Sequence, residues 1–489
     1  MSTTTTDPFA DPALGIPPSR ASSTPTLSSF PSTTKKTRHA STALPTDIPP
    51  YTAVSKPWTL KPSPRATFSY YLTWALFFVG AALGGLQSYL TWKNVRLDKQ
   101  PLCLVFEQDF AEGGDRAVFG DGTPGSGHFL REVDLSGFGN GEFEMTTSSS
   151  NNSFLQNGYL YIVPTLTNGG VEYADGEAMD FYVCTTYNAT DCTFNLTAPN
   201  GGFTAGPNGD EFDYGGYFAA CSRTTNATAG TIINPVQSAR LSTVLSAKGN
   251  ESTLSRGSLR YGRVEVRAKM PTGDWLWPAI WMLPVNNTYG PWPASGEIDL
   301  VESRGNGLQY TNRGSNYVQG ALNWGPTPEL NGVGKSYSWW PNKRTSFAED
   351  FHTYAMEWTD EWIRISVDTR LHTLLDLKFN QPFWQRGEFP QTILGTDGRF
   401  EALQDPWVNG TNATPFDQDF YLIMNVAVGG TNGWFPDGQG NKPWLNRAGN
   451  PMVDFINNKE QWLPTWPENV EDRAMVVDYV RMWKHCGDP

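Results

Sequence analysis

Arg263-Val264-Glu265-Val266-Arg267-Ala268-Lys269 alternates charged and apolar side chains without a break. In an extended chain successive residues point to opposite faces, so Val264, Val266 and Ala268 share one side and the charges share the other. That is the pattern of a half-buried β-strand. Working outward, Trp362-Ile363-Arg364-Ile365-Ser366-Val367-Asp368 keeps the same period, with Trp362, Arg364, Ser366 and Asp368 opposite Ile363, Ile365 and Val367. Phe420-Tyr421-Leu422-Ile423-Met424-Asn425-Val426-Ala427-Val428 is a nearly continuous apolar run, as expected of a central strand. Gly-, Pro- and Asn-rich turns separate these runs, and convincing helices are few. No internal repeat or long Ser/Pro-rich linker divides the region. The layout predicts an all-β domain over residues 100–489, an antiparallel β-sandwich of the jelly-roll kind. Segments 164–235 and 380–420 read as long loops decorating it.

The N-terminal fifth differs in kind. Residues 1–66 contain 35 Ser, Thr or Pro and no apolar periodicity, which predicts a disordered tail over 1–65. Residues 66–90 carry no charge for 25 positions and include Tyr70-Tyr71-Leu72-Thr73-Trp74-Ala75-Leu76-Phe77-Phe78-Val79. This is long enough to span a bilayer, and it lies too far from the start for an ordinary cleaved signal peptide. The expectation is a retained signal anchor, giving a single-pass type II membrane protein with a cytosolic tail and a luminal or extracellular domain. Lys56, Lys61 and Arg65 before the span support that orientation modestly against Lys93, Arg96 and Lys99 after it. The sequons at Asn151, Asn188, Asn195, Asn226, Asn250, Asn286, Asn409 and Asn412 all follow the span and suggest a glycoprotein. So do all five cysteines, Cys103, Cys184, Cys192, Cys221 and Cys486, an odd number that leaves at least one outside intrachain pairs. Cys103 and Cys486 bracket the folded region and are placed to staple its first strand to its last, while Cys184, Cys192 and Cys221 share one bridge among them.

Charge narrows the choice of partner. Residues 67–489 hold 29 basic against 46 acidic side chains, a net of about −17. Such a surface does not seek phosphate backbones, so nucleic acid is excluded and a neutral polysaccharide is favoured. The histidines beyond the span show no metal spacing, and no Gly-x-Ser-x-Gly elbow, P-loop or dinucleotide fingerprint is present, so neither cofactor nor metal is expected.

The chemistry concentrates in Gly296-Glu297-Ile298-Asp299-Leu300-Val301-Glu302. Glu297 and Asp299 face one way on a strand, whereas Glu302 falls on the opposite face unless a β-bulge at Leu300 or Val301 restores the parity. With the bulge, three carboxyl groups line one cleft. Glycosidic bond cleavage typically uses two, one ionised and one protonated. Asp299 is placed to hydrogen-bond Glu297 and favour its charged form, while crowding raises the pKa of Glu302. Taken alone, a solvated acidic face or a cation site explains the run equally well. Seventeen of the 19 tryptophans follow residue 90, and Trp275, Trp277, Trp281 and Trp292 cluster before the acidic strand. Indole is good core material, but it also stacks on the flat faces of sugars.

Several spaced segments together resemble glycoside hydrolase family 16. They are Arg260–Lys269, Trp275–Pro284, Ser295–Asn306, Phe351–Trp358 and Met424–Gly430, so the likeness covers roughly residues 150–485. It is nearest to the laminarinases and the related β-1,3-glucan recognition proteins. The resemblance implies a jelly roll with a long sugar-binding cleft and a retaining mechanism, with Glu297 as nucleophile, Asp299 as assisting acid and Glu302 as acid/base. Trp277, Trp281, Asn323, Trp324, Asn425 and Trp434 are the implied substrate-binding residues. Asn323 departs from many relatives, which carry His there, and Asn does not titrate near neutral pH. The anchored layout is similar to fungal membrane proteins needed for cell-wall β-glucan. Two functions follow as expectations: a membrane-anchored β-glucan-active glycosidase, hydrolysing or rearranging chains in cell-wall metabolism, or a non-catalytic β-glucan-binding or wall-assembly scaffold. Retention of both glutamates favours the enzyme.

Overall fold

The computed structural model describes residues 63–111, 114–121, 126–167, 186–198, 202–204, 211–226, 229–244, 257–394 and 398–487. Nearly all of the tail expected over 1–65, together with Cys184 and Asn250, lies outside them. The chain divides into two compact units, one formed by residues 12–99 and the other chiefly by residues 100–489.

The described part of the first unit is a helix, α1, over Pro64–Asn94. Pro64 takes the first helical position, where its missing N–H costs nothing. Phe68, Tyr71, Trp74, Phe77 and Phe78 are all exposed, and no charge interrupts residues 66–92. At ~1.5 Å per residue the helix is ~46 Å long, against the ~30 Å of a bilayer's hydrocarbon core.

The second unit is a two-layer antiparallel sandwich. Its strands in chain order are β1 (Leu102–Gln108), β2 (Leu130–Glu132), β3 (Ser153–Gln156), β4 (Tyr159–Ile162), β5 (Arg240–Ser242), β6 (Ser258–Leu259), β7 (Gly262–Lys269) and β8 (Leu276–Pro284). There follow β9 (Glu297–Ser303), β10 (Tyr317–Asn323), β11 (Tyr337–Pro341), β12 (His352–Trp358), β13 (Trp362–Val367), β14 (Thr373–Lys378), β15 (Phe420–Val428) and β16 (Met475–His485). The first sheet runs β14-β13-β12-β7-β16-β4-β3, with β1 also on β16. The second runs β11-β10-β9-β8-β15-β5-β2, with β6 also on β15. Cys103 and Cys486 join the paired β1 and β16 in a disulfide, and a second links Cys192 to Cys221. The seven described sequon asparagines are all exposed.

The core lies between the sheets. β7 alternates as its sequence requires, with Val264, Val266 and Ala268 fully buried. All nine residues of β15 are buried: one face lies in the core, and on the other Tyr421 and Ile423 pack with Leu130, Val244 and Trp281, while Asn425 accepts from Trp281 Nε1. β13 departs from the expected alternation, since Trp362, Arg364 and Ser366 are buried as well. A charged ladder covers that outer face. Glu357 on β12 is paired with Arg263, Arg364 and Arg370, and Arg364 reaches Asp376 on β14 at 3.1 Å. Ion pairing makes burial of Arg364 tolerable where an isolated charge would not be.

Candidate active site

The bulge that the acidic run requires is present. Opposite β8, Asp299 pairs with Trp281 and Val301 with Ile280, leaving Leu300 as the extra residue. Opposite β10, Asp299 pairs with Ala321 and Glu302 with Gln319, so Leu300 and Val301 together face Gly320. A Cβ on Gly320 would come within 3.0 Å of Leu374 Cβ and 3.2 Å of Ile365 Cγ2, in the opposing sheet. The layers approach closely there, so a side chain would force Leu374 and Ile365 to shift. Gly296, at φ +83°, turns the chain into β9 through a conformation that favours glycine.

The consequence is a row of largely polar side chains, interrupted by Ala279 and ending at Trp339, on the face of the second sheet turned away from the core. By register it runs Trp339, Gln319, Glu302, Ala279, Asn425, Arg240 and Glu132, from β11 to β2. Glu297 and Asp299 occupy the neighbouring positions along β9. Trp292 Nε1 donates to Glu297 Oε2 at 2.9 Å, and Asn323 Nδ2 donates to Glu297 Oε1 at 2.8 Å and to Asp299 Oδ2 at 2.9 Å. Asn331 Nδ2 fixes Asn323 by donating to its Oδ1 at 2.7 Å. Glu302 accepts from Trp277 Nε1 at 3.0 Å and from Gln319 Nε2 at 3.1 Å. Trp281 Nε1 donates to Asn425 Oδ1 at 2.8 Å.

Burial dominates the electrostatics. It pushes Glu297 up to about 8, with Glu302 adding to the effect. It pushes Glu302 up to about 7 against the pull of the Trp277 and Gln319 hydrogen bonds. Asp299 rises well above the carboxylate range through burial first and then through Glu297 and Glu302. The expected contrast, a charged Glu297 beside a raised Glu302, is therefore corrected. Desolvation comes first for all three acids; neighbouring triad carboxyls add to it at Glu297 and Asp299, whereas at Glu302 the acid that adds is Glu142, as a minor contribution. What distinguishes them is the donor set: Glu297 accepts from Trp292, Asn323 and the carboxyl of Asp299, whereas Glu302 accepts from two donors. Asp299 keeps its proton and donates it toward Glu297, which favours the charged form there, but Glu297 at about 8 still lies above Glu302 at about 7, so near neutral pH the two glutamates share one proton.

The structure separates the other expected residues. Trp281, half-buried, and Asn425 face the site together. Trp277 is largely covered, stacking on Trp434 at 4.9 Å, and Trp434 stacks in turn on Trp339 at 5.6 Å. Trp434 is fully buried, so it has no face to offer a ligand and acts only through that stack, with the Arg304 guanidinium 4.3 Å from its ring. Trp324 also lies in the core, against Phe383, with Nε1 donating to Ser336 Oγ at 2.7 Å. For Trp324 and Trp434, direct ligand contact is thus replaced by a packing role. Sequence reasoning missed Gln319 and Trp339, although strand parity from Asn323 leads to Gln319 and cross-strand pairing then leads to Trp339. It also missed the role of Trp292, which is 42% exposed beside Glu297, and a polar wall beyond Asn425. In that wall Arg240 Nε meets Glu132 at 2.8 Å, Asn140 donates to Glu142 at 2.8 Å, and Glu144 accepts from Val428 N at 2.7 Å.

A β-sandwich with carboxyl groups and tryptophans recessed on one sheet face is the architecture of carbohydrate-active proteins. The family model for glycosyl hydrolases family 16 matches residues 222–398, and the chain belongs to that family. It is 40% identical over 387 residues to the β-1,3-glucan-binding protein of Penaeus monodon, covering 78% of this chain and 90% of that one. It is 38% identical over 184 residues to glucan endo-1,3-beta-glucosidase A1 of Niallia circulans, covering 38% of this chain and 22% of that one. The chain spans less than half the length of the β-1,3-glucan-binding proteins 1 of Manduca sexta and Galleria mellonella. The laminarinase of Rhodothermus marinus aligns with 79% of this chain and 99% of its own at a TM-score of 0.43 and 24% identity.

Proposed function

We propose that this chain is a retaining glycosidase acting on β-1,3-glucan, held at a membrane by α1. The observation that carries the reading is the bulged β9, which brings Glu297, Asp299 and Glu302 to one face and gives each glutamate its own donors. The Glu297 carboxylate attacks the anomeric carbon while Glu302 gives its proton to the departing glycosidic oxygen, leaving a glycosyl ester on Glu297. Glu302 then takes a proton from water, or from the hydroxyl of another sugar, as that oxygen displaces Glu297. Asp299, protonated, steadies the charge that Glu297 gains and loses. Trp292 and Trp281 are the aromatic faces open to a sugar beside this centre.

The anchored layout is part of the same proposal: a cytosolic tail over 1–65, a span over 66–90 and a glucan-active domain over 100–489 on the far side, working on cell-wall glucan. Its support is the length of α1 and the absence of charge over residues 66–92. The second reading is glucan recognition without turnover, favoured by the name of the Penaeus relative.

One experiment divides the two. The full chain and Glu297→Gln are incubated with linear β-1,3-gluco-oligosaccharides and the products are sized. Shorter products from wild type alone mean hydrolysis, and products longer than the substrate mean transfer. Binding without any change in length, in both proteins, leaves recognition as the function.

A further inference from the structure

β11 forms one edge of the second sheet, and its side chains alternate. Trp339 turns to the candidate site, and Trp340 turns away from it. On that other side lies a cavity of about 760 Å³, lined by Trp340, Lys343, Arg344, His352, Asp368 and His372 among others. This is within the size range of small-ligand sites, ~300–1,000 Å³.

Its chemistry runs against that of the rest of the domain. From residue 67 onward acidic side chains outnumber basic ones 46 to 29, yet two cations and two of the chain's five histidines meet here around one carboxylate. That carboxylate is already committed. Asp368 accepts from His352 Nδ1 at 2.8 Å and from Thr353 N at 3.0 Å. Lys343 and Arg344 are exposed, and among the described residues neither side chain has a hydrogen bond or ion pair. The Trp340 and His372 rings stack at 4.7 Å and form an aromatic wall beside them. Asp368 sits at φ +60°, in the left-handed region that aspartate tolerates better than most side chains, at the turn that brings His372 to this wall.

Uncommitted cations beside an aromatic wall suit a flat-faced ring that carries a negative charge. We propose that this pocket binds an acidic saccharide, a pyranose bearing a carboxylate or sulfate group. Lys343 and Arg344 take the anion and the Trp340–His372 wall takes the ring. The site does not depend on turnover at Glu297. It gives the chain a second carbohydrate contact of opposite charge preference, on the far side of β11 from the first.

The test is calorimetric titration of the detergent-solubilised full chain at low salt with four probes: a glucuronate-containing oligosaccharide, a sulfated gluco-oligosaccharide, laminaritetraose and inorganic sulfate. At least one acidic oligosaccharide is expected to bind more tightly than inorganic sulfate. Its Kd should weaken at least tenfold in Lys343→Gln/Arg344→Gln and again in His372→Ala, and stay unchanged in Glu297→Gln. Laminaritetraose binding should be untouched by the Lys343/Arg344 pair of substitutions. Lys343 and Arg344 are at the surface, and a wild-type melting curve for the Lys343/Arg344 and His372 variants verifies their fold. Inorganic sulfate binding as tightly as the acidic saccharides would reduce the pocket to a bare anion site and overturn the proposal. Binding of the acidic probes that survives the double substitution, or no binding of them at all, would also overturn it.

Discussion

Replacing Glu297 by Gln should abolish turnover and yet make the protein more stable at alkaline pH. Burial, reinforced by Glu302, lifts the Glu297 carboxyl from 4.5 to about 8. A group that holds its proton more tightly folded than unfolded adds no cost below its unfolded pKa. The cost appears as pH rises and is complete above the folded pKa. At ~1.4 kcal/mol per unit, such a shift sets a ceiling of ~4–5 kcal/mol. Glu302 shares in it, because losing one acid relieves the other, and the site relaxes around a charge, so about 2 kcal/mol is the reasonable pH-dependent part. The amide of Gln mismatches Trp292 or Asn323, but that penalty acts at every pH and cancels when two pH values are compared. For a domain of this size the gain corresponds to ~2–4 °C in Tm. Thermal melts of the detergent-solubilised wild type and variant at about pH 4.5 and about pH 8.5 measure it. The Tm of Glu297→Gln relative to wild type should rise by that amount between the two. A constant difference, or a fall, would refute the picture of a buried acid resisting ionisation.

Further outcomes follow from the donors. Trp292→Phe removes a hydrogen bond that lowers the Glu297 pKa, so the acid limb of kcat/KM on β-1,3-gluco-oligosaccharides should move to higher pH, with a ~10-fold loss on the acid side. Gln319→Leu removes a donor that lowers Glu302, so Glu302 should hold its proton to higher pH and the pH profile of kcat/KM should also move upward. Gly320→Val drives a side chain into Leu374 and Ile365, and should cost ~2–3 kcal/mol in denaturant melts with loss of activity as the bulge shifts. Trp434→Ala should destabilise by ~3–5 kcal/mol and weaken catalysis through Trp277 and Glu302 without direct substrate contact.

Much of this arrangement was legible because strand parity is a strict rule. The alternation of 263–269 placed β7, and the five-residue step from Glu297 to Glu302 demanded a bulge where Leu300 provides it. The same rule separates Asn323, which reaches Glu297 and Asp299, from Trp324, which enters the core, although the family resemblance implies ligand contact for both. Other features depend on contacts between distant segments. Burial of Arg364 needs Glu357 and Asp376 on neighbouring strands, and the place of Trp434 needs a loop that returns between Trp277 and Trp339. The ordering of the acids was obscured for a related reason. Crowding can be read from a sequence, but desolvation depends on what covers the carboxyl groups.

The most direct test of the mechanism is covalent trapping. The detergent-solubilised full chain is incubated with a 2-deoxy-2-fluoro β-1,3-gluco-oligosaccharyl fluoride, whose good leaving group lets the glycosyl ester form while the fluorine slows its breakdown, and the digest is read by mass spectrometry. One fluoroglycosyl group on the peptide that contains Glu297, absent in Glu297→Gln, is the expected result. Wild-type protein that binds the reagent but carries no label, or a label on Glu302 with Glu297 free, would contradict the assignment.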